Sequence, residues 1–314
     1  MRVRDLSLSL VLVVGGLVGC GDDENNTPDA RPVDGPDKPV FKEYDADEGG
    51  EVRIEYVRFG GGNAAARVTA VLYDNPGTTR FFPFLNTNGC TDTSLKMHWP
   101  TAENPVAERT YVDPGKVLIS GGPQVLDIPR KTMMGRDVPG RTHPANEWFQ
   151  QFGGGLADDA ALYLPEKRLL DVTFTGSDEM PGQIFDDVVY MPADFEVIDP
   201  PLSLTPHPIP AGQPQTFTWT TPAQSAPAGM EVQSLVAFIS PTLGPLVICV
   251  EPNDGSITVP AEMIDIVRAK ATAGTLARQT LTHVVRELVD KNGPTGKRID
   301  ILGIWCYATP FSVP

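Results

Sequence analysis

Proline and glycine interrupt this chain so often that long helices have little room to form. The 314 residues include 31 prolines and 30 glycines, which makes proline about twice as frequent as in an average protein. Proline lacks the backbone N–H that a helix interior needs, and glycine commonly follows a helix end. No long stretch repeats apolar residues with the period of a helix. We therefore expect a mostly β fold of two β-sandwich units.

The first of these units is predicted over residues 43–199. Residues 53–59 alternate in polarity, and the Gly60-Gly61-Gly62-Asn63 turn leads to a second run at 67–73. Alternation on both sides of such a turn predicts a hairpin of half-buried strands. Further strands are predicted at 80–85, 116–120, 124–128, 160–164, 169–175 and 183–190.

One helix is predicted within this unit. Pro144 suits a first helical position, Trp148 and Phe149 follow, and the glycines at 153–155 would end the helix. The two aromatic residues would plug one end of the sandwich or, alternatively, form a platform on which a sugar ring stacks.

The second unit is predicted over residues 200–314. Six prolines within residues 199–215 oppose both helix and central strand, so we place the boundary between the units there. A short helix is predicted to begin at Pro260. This length and number of strands is typical of an immunoglobulin-like or fibronectin-like sandwich. The predicted strands are 216–220, 232–239, 246–250, 257–259, 278–289 and 298–307.

The first twenty residues have the features of an export signal. Arg2 and Arg4 precede an apolar stretch over residues 6–18, which is shorter than the about 20 residues that span a membrane. It ends in Leu17-Val18-Gly19-Cys20, a run that resembles the lipobox of bacterial lipoproteins. The resemblance implies that residues 1–19 are a cleaved signal peptide and that Cys20 carries acyl chains such as palmitate. These chains would anchor the protein on a membrane.

Residues 20–42 are expected to form a disordered acidic tether between the lipid and the folded body. Six aspartate and glutamate residues occur there among four prolines, with almost no apolar side chains, so ordering would not be offset by burial. Lipoproteins commonly have such a stalk. In some bacteria an aspartate after the lipidated cysteine retains the protein in the inner membrane, and Gly21 in that position favours the outer membrane. In overall plan the chain resembles uncharacterised lipoproteins of Gram-negative cell envelopes.

Three cysteines remain once Cys20 is assigned to lipid. An exported protein lies in an oxidising compartment, so one disulfide and one odd thiol are expected. Cys249 and Cys306 each end an apolar predicted strand, which makes them the predicted pair and leaves Cys90 as the free thiol. Cys90 could then bridge two copies of the chain.

The charge of the chain limits its partners. The net charge of −15 becomes −16 when residues 1–19 are removed, because that segment carries two arginines and one aspartate. Nucleic acid is not expected as a partner, since binding to phosphates needs a basic surface. Contact with the membrane should come from the acyl chains alone.

No pattern typical of a catalytic, metal or cofactor site occurs in the sequence. The G-x-S-x-G motif, the C-x-x-C motif and zinc-ligand spacings are missing, and the histidines are scattered over His98, His143, His207 and His283. The sequence therefore favours a lipid-anchored envelope protein that binds a protein or a glycan without catalysis, or that serves a structural role. The alternative is an envelope glycan or peptide hydrolase that uses carboxylates of the first unit, such as Asp186, Asp187 or Asp194.

Overall fold

The computed structural model describes residues 48–60, 62–72, 88–93, 112–133, 145–152, 160–220 and 226–314, and these ranges are mostly β. They contain seventeen strands and one helix. The strands are β1 (Glu48–Phe59), β2 (Ala64–Leu72), β3 (Gly89–Asp92), β4 (Val117–Ser120), β5 (Leu126–Ile128), β6 (Arg130–Met133), β7 (Ala145–Phe152), β8 (Arg168–Phe174), β9 (Gln183–Met191), β10 (Val197–Asp199), β11 (His207–Pro208), β12 (Gln215–Trp219), β13 (Val232–Ser240), β14 (Gly244–Pro252), β15 (Ser256–Val259), β16 (Ala273–Asp290) and β17 (Gly293–Ser312), and the helix is α1 (Ala261–Lys270).

A ten-stranded sheet forms the centre of the molecule. Its strand order is β3-β14-β13-β16-β17-β1-β2-β7-β6, and β11 pairs with the end of β17. The longest pairing joins β16 and β17 as an antiparallel hairpin, and these strands contain the predicted strands 278–289 and 298–307. The first strand, β1, lies parallel to β17 and antiparallel to β2.

Two smaller sheets pack on one face of the large sheet, which we call the front face. They have the orders β10-β12-β15 and β5-β4-β8-β9. Strand β9 lies against the long hairpin, where the Thr282 hydroxyl donates to the Tyr190 carbonyl over 2.6 Å. One continuous apolar core joins the three sheets, and its members come from β1 (Val52), β8 (Val172), β12 (Phe217) and β17 (Ile301).

The opposite face, which we call the back face, carries a second and separate cluster of buried apolar side chains. The alternation of a strand divides its residues between the two clusters. In β17, for example, Ile301 and Trp305 belong to the front core, and Leu302 and Ile304 belong to the back cluster.

The second predicted unit contributes strands to two packed sheets. The large sheet contains β13, β14, β16 and β17, and the three-stranded sheet contains β12 and β15 together with β10. This division is compatible with the predicted β-sandwich. The large sheet also contains β1 and β2 from the first predicted unit, so strands from both sides of the predicted boundary share one sheet. The proline-rich segment packs on that sheet as well, because the N–H of Ile209 donates to the Ser312 carbonyl over 2.9 Å.

Two local predictions are wrong. Residues 145–152 form β7 rather than a helix, because Trp148 pairs with Ala70 of β2 and with Arg130 of β6. Aromatic residues favour strands, and pairing in the sheet overrides the helix-start signal of Pro144. Ala160 begins a helical turn, in which the Leu164 N–H donates to the Ala160 carbonyl over 3.2 Å, instead of a strand. The strand predicted at 80–85 lies outside the described residues.

The predicted disulfide is also wrong. Cys249 is bonded to Cys90, which lies directly opposite it in the pairing of β14 with β3. Cys249 points to the front core, while Cys306 belongs to the back cluster and has no disulfide partner. Strands β13 and β16 lie between β14 and β17. Cys90 is therefore not the free thiol, and the suggested bridge between two copies through Cys90 fails.

Candidate functional site

A polar pocket lies on the front face, where the turn before β8 and the segment around β10 approach the large sheet. Its volume is about 500 Å³, and we call it the Arg58 pocket. Charged and aromatic side chains line it together with two aliphatic ones. The lining residues are Arg58, Glu166, Lys167, Asp194, Phe195, Glu196, Val197, Leu202 and Tyr307.

Asp194 is the hydrogen-bonding centre of this pocket. Its Oδ1 accepts hydrogen bonds from the Trp305 indole N–H (2.8 Å), the Phe195 backbone N–H (2.8 Å) and the Tyr307 hydroxyl. Its Oδ2 lies 3.9 Å from a terminal nitrogen of Arg58. Three donors on one oxygen fix the carboxylate in place, so Oδ1 cannot take a proton from a ligand without losing one of these bonds.

Arg58 and Tyr307 lie on neighbouring strands that the parallel pairing of β1 and β17 places side by side. Arg58 donates to the Tyr307 hydroxyl over 3.1 Å, and its guanidinium carbon is 5.7 Å from the centre of the Tyr307 ring. Burial raises the pKa of Tyr307, and the hydrogen bond to Asp194 and the charge of Asp194 raise it further. Tyr307 is therefore held as the neutral donor to Asp194.

An aromatic wall supports these polar groups. The rings of Tyr56 and Trp305 are stacked with centroids 3.9 Å apart. The ring of Phe195 meets Tyr307 edge-on at 4.7 Å. These four aromatic residues, Tyr56, Phe195, Trp305 and Tyr307, are all buried. They therefore belong to the core and keep Asp194 and Arg58 at fixed positions relative to each other.

The turn before β8 closes one side of the pocket. Lys167 has a φ of 54°, in the left-handed region that non-glycine residues rarely adopt. Its N–H donates to the Met191 carbonyl over 2.9 Å. Glu166, the preceding residue, lies next to Asp194. The backbone N–H of Asp194 donates to a carboxylate oxygen of Glu166 over 2.7 Å.

The structure places only one of the three predicted carboxylates in this pocket. Asp194 lines it, whereas Asp186 and Asp187 are exposed on β9 and do not. The backbone N–H of Asp187 instead donates to Asp171 over 2.8 Å. Sequence reasoning missed Arg58, although Arg58 replaces an apolar residue in the inward series of β1 that begins at Val52. This charged residue in an otherwise apolar series was the sequence feature that could have identified Arg58 as a site residue.

A second group of charged side chains is buried on the back face. His283 Nε2 lies 2.7 Å from Asp300 Oδ1, and Arg298 donates to the other Asp300 oxygen over 3.1 Å. Burial alone would raise the pKa of Asp300, but the hydrogen bond and charge of His283 and the charge of Arg298 lower it below its usual value. Glu51 and Arg53 of β1 form a further buried ion pair on this face.

The described ranges hold no group of three histidine, cysteine, aspartate or glutamate side chains close enough to bind a metal ion. His207 packs edge-on against Phe217 with ring centroids 6.3 Å apart, and His283 forms a hydrogen bond with Asp300. His98 and His143 lie outside the described residues. Among the residues with a described structure, no helix has the length and apolar character needed to span a membrane.

No protein-family model matches the chain, and none of the curated proteins compared with it is similar.

Proposed function

We propose that this protein is a lipid-anchored component of a bacterial cell envelope, held on the outer membrane through Cys20, and that the Arg58 pocket binds a glycan without converting it. The anchor rests on the resemblance of Leu17-Val18-Gly19-Cys20 to a lipobox and on the acidic segment that follows. The binding role rests on the Arg58 pocket.

The pocket suits a sugar unit in size and chemistry. Its volume of about 500 Å³ lies in the range of small-molecule sites. Sugar hydroxyls both donate and accept hydrogen bonds, and the pocket offers donors on Arg58 and Lys167 and acceptors on Glu166 and Glu196. Val197 and Leu202 supply an apolar surface for the face of a sugar ring.

The single observation that carries the binding role is the hydrogen bonding of Asp194. A catalytic carboxylate must exchange a proton with the substrate or attack it. Three protein donors occupy Asp194 Oδ1, and Arg58 lies beside Oδ2. This arrangement favours a carboxylate that organises the pocket over one that reacts.

The alternative function is an envelope glycan or peptide hydrolase. The observation in its favour is that Glu166 and Asp194 line the same pocket. A hydrolase of this kind needs two carboxylates facing one substrate bond.

The anchor is tested by the intact mass of the protein purified from its own membranes, beside a Cys20→Ser variant. We expect a chain that begins at Cys20 and carries added acyl mass, and we expect the variant to lack that mass. An unmodified chain that keeps residues 1–19 would refute the anchor.

The pocket is tested by calorimetric titration with soluble disaccharide-peptide fragments of peptidoglycan. We expect binding that Arg58→Met weakens at least about tenfold, as expected for loss of a charge-assisted hydrogen bond. The matched control is Ile184→Ser, because Ile184 is exposed on β9 away from the pocket. Cleavage of the fragments that Glu166→Gln abolishes would instead establish the hydrolase, and binding unaffected by Arg58→Met would place the ligand elsewhere.

A further inference from the structure

The Arg58 pocket presents charges of both signs. Two cations, Arg58 and Lys167, line it together with three carboxylates, those of Glu166, Asp194 and Glu196. A ligand that carries both signs meets its complement at each of these groups, whereas a ligand of one sign is repelled by part of the lining.

Arg58 keeps most of its hydrogen-bonding capacity for a ligand. A guanidinium has several N–H donors, and in the described part of the chain the only hydrogen bond of Arg58 is that to the Tyr307 hydroxyl, over 3.1 Å. The nearest Asp194 oxygen is 3.9 Å away, too far for a hydrogen bond. The Arg58 side chain is 31% exposed, so the remaining N–H groups can be reached from the pocket. Their planar arrangement matches the two oxygens of a carboxylate.

Lys167 adds a second cation on a constrained turn. Its φ of 54° is a conformation that lysine rarely adopts, and residues held in this way cluster at ligand sites. The Lys167 N–H is bonded to the Met191 carbonyl, which ties this turn to the end of β9. The side chain is exposed, and its ammonium has no protein partner among the described residues. Lys167 can therefore add to the attraction that Arg58 exerts on a ligand carboxylate.

Glu166 and Glu196 supply the negative charges that a ligand can use. Asp194 is already engaged, because three donors bind its Oδ1 and Arg58 lies beside its Oδ2. Glu166 accepts one hydrogen bond, from the Asp194 N–H. No described residue donates to the Glu196 carboxylate. Both glutamate side chains are exposed, so each can accept a hydrogen bond from an ammonium group of a ligand.

The balance of these charges disfavours a ligand with a single charge. Asp194 offsets part of the charge of Arg58, and the single ammonium of Lys167 then faces two glutamates. A ligand with only a carboxylate would leave the glutamates unmatched. A ligand with only an ammonium group would leave the free N–H groups of Arg58 unmatched.

We propose that the Arg58 pocket recognises a zwitterionic sugar unit, whose carboxylate binds Arg58 and Lys167 and whose protonated amine binds Glu196 and Glu166. This inference rests on the proposed function, because it names the chemical class of the glycan unit that the pocket accepts.

Four sugars that share one ring test the proposal. N-acetylglucosamine carries neither charge, glucosamine carries the ammonium, N-acetylmuramic acid carries the carboxylate, and muramic acid carries both. Each is titrated calorimetrically into the full-length wild-type protein in detergent at pH 6, where amines are protonated and carboxylates are ionised. We expect muramic acid to bind at least about tenfold more tightly than N-acetylglucosamine, with the other two sugars between them.

Two variants assign the two ends of the ligand. Arg58→Met should abolish the preference for N-acetylmuramic acid over N-acetylglucosamine and keep the preference for glucosamine. Glu196→Gln keeps the shape of the side chain and removes its charge, so it should lower the preference for glucosamine about twofold or more and keep that for N-acetylmuramic acid. The matched control Ile184→Ser changes an exposed residue of β9 and should alter none of these ratios. If Arg58→Met fails to fold, the wild-type series decides.

The outcomes separate this inference from the proposed function. Equal affinities for the four sugars, or a preference that depends on one charged group alone, would overturn the zwitterionic ligand and leave a glycan pocket in place. Absence of binding by all four sugars would overturn it as well. The proposed function would then stand if the disaccharide-peptide fragments of peptidoglycan still bind, and both would fail if they do not.

Discussion

Replacing Asp194 by alanine should destabilise the whole fold, not only the pocket. The substitution removes the acceptor of the Trp305 N–H, the Tyr307 hydroxyl and the Phe195 N–H. A buried donor left without an acceptor costs about 1–3 kcal/mol. Trp305 and Tyr307 are both about 3% exposed, so these two donors alone would cost about 2–6 kcal/mol if no water reached them.

Water will reach part of this site, because the Asp194 side chain is 40% exposed. We therefore expect a loss near the lower end, about 2–3 kcal/mol in the free energy of unfolding. Urea denaturation measures this loss. With a slope of about 3 kcal/mol per molar urea, the midpoint should fall by about 0.7–1 M at unchanged slope.

Two further variants decide whether the hydrogen bonds are the cause. Asp194→Asn keeps one acceptor oxygen, so it should lose no more than about half as much stability as the alanine variant. Glu196→Ala removes an exposed carboxylate from the same pocket and should shift the free energy of unfolding by less than about 0.5 kcal/mol. A midpoint of Asp194→Ala that coincides with the wild type would refute the structural role and restore Asp194 as a candidate catalytic group.

Three other outcomes are expected from the structure. Replacing Cys90 and Cys249 together by serine should lower the free energy of unfolding by up to about 5 kcal/mol, the chain-entropy value for a sequence separation of 159; an unchanged urea midpoint would contradict a role for the disulfide in stability. Because the folded pKa of Tyr307 is raised, its stabilising contribution is complete below about pH 10 and declines as pH rises further. Tyr307→Phe should therefore flatten the fall of the midpoint above pH 10, and an equally steep fall would count against this account. The folded pKa of Asp300 is lowered, so its contribution is present above about pH 4 and is lost as pH falls through the folded pKa. Asp300→Asn should reduce the acid-induced loss measured from pH 6 to 2.5, and no change relative to the wild type would argue against it.

Strands could be predicted where apolar residues on one face alternate with polar residues on the other face. Residues 53–59 and 278–289 were predicted in this way and lie in β1 and β16. The prediction of a helix at 145–152 failed because Pro144 and the glycines after Phe152 are local signals. The pairing of β7 between β2 and β6 is a long-range interaction that no local pattern contains.

The sequence did not predict the Cys90–Cys249 disulfide or the Arg58 pocket, and the reason is the same for both. Cys249 and Cys306 each end an apolar predicted strand, but their side chains lie on opposite faces of the sheet. The parallel pairing of β1 with β17 brings Arg58 beside Tyr307 across 249 positions of sequence. Strand order decides such contacts, and alternation within a strand does not reveal strand order.

The short strand β3 protects the molecule against self-association. Gly244 to Val250 of β14 are all buried and form a continuous apolar run. With β3 removed, Val247 to Val250 of this run would become an edge with unpaired N–H and carbonyl groups, on which another chain could pair. The Cys90–Cys249 bond links β3 to this edge, and such bonds persist mainly in oxidising compartments. We therefore expect a chain that folds under reducing conditions, without the Cys90–Cys249 bond, to aggregate more readily than the disulfide-bonded chain.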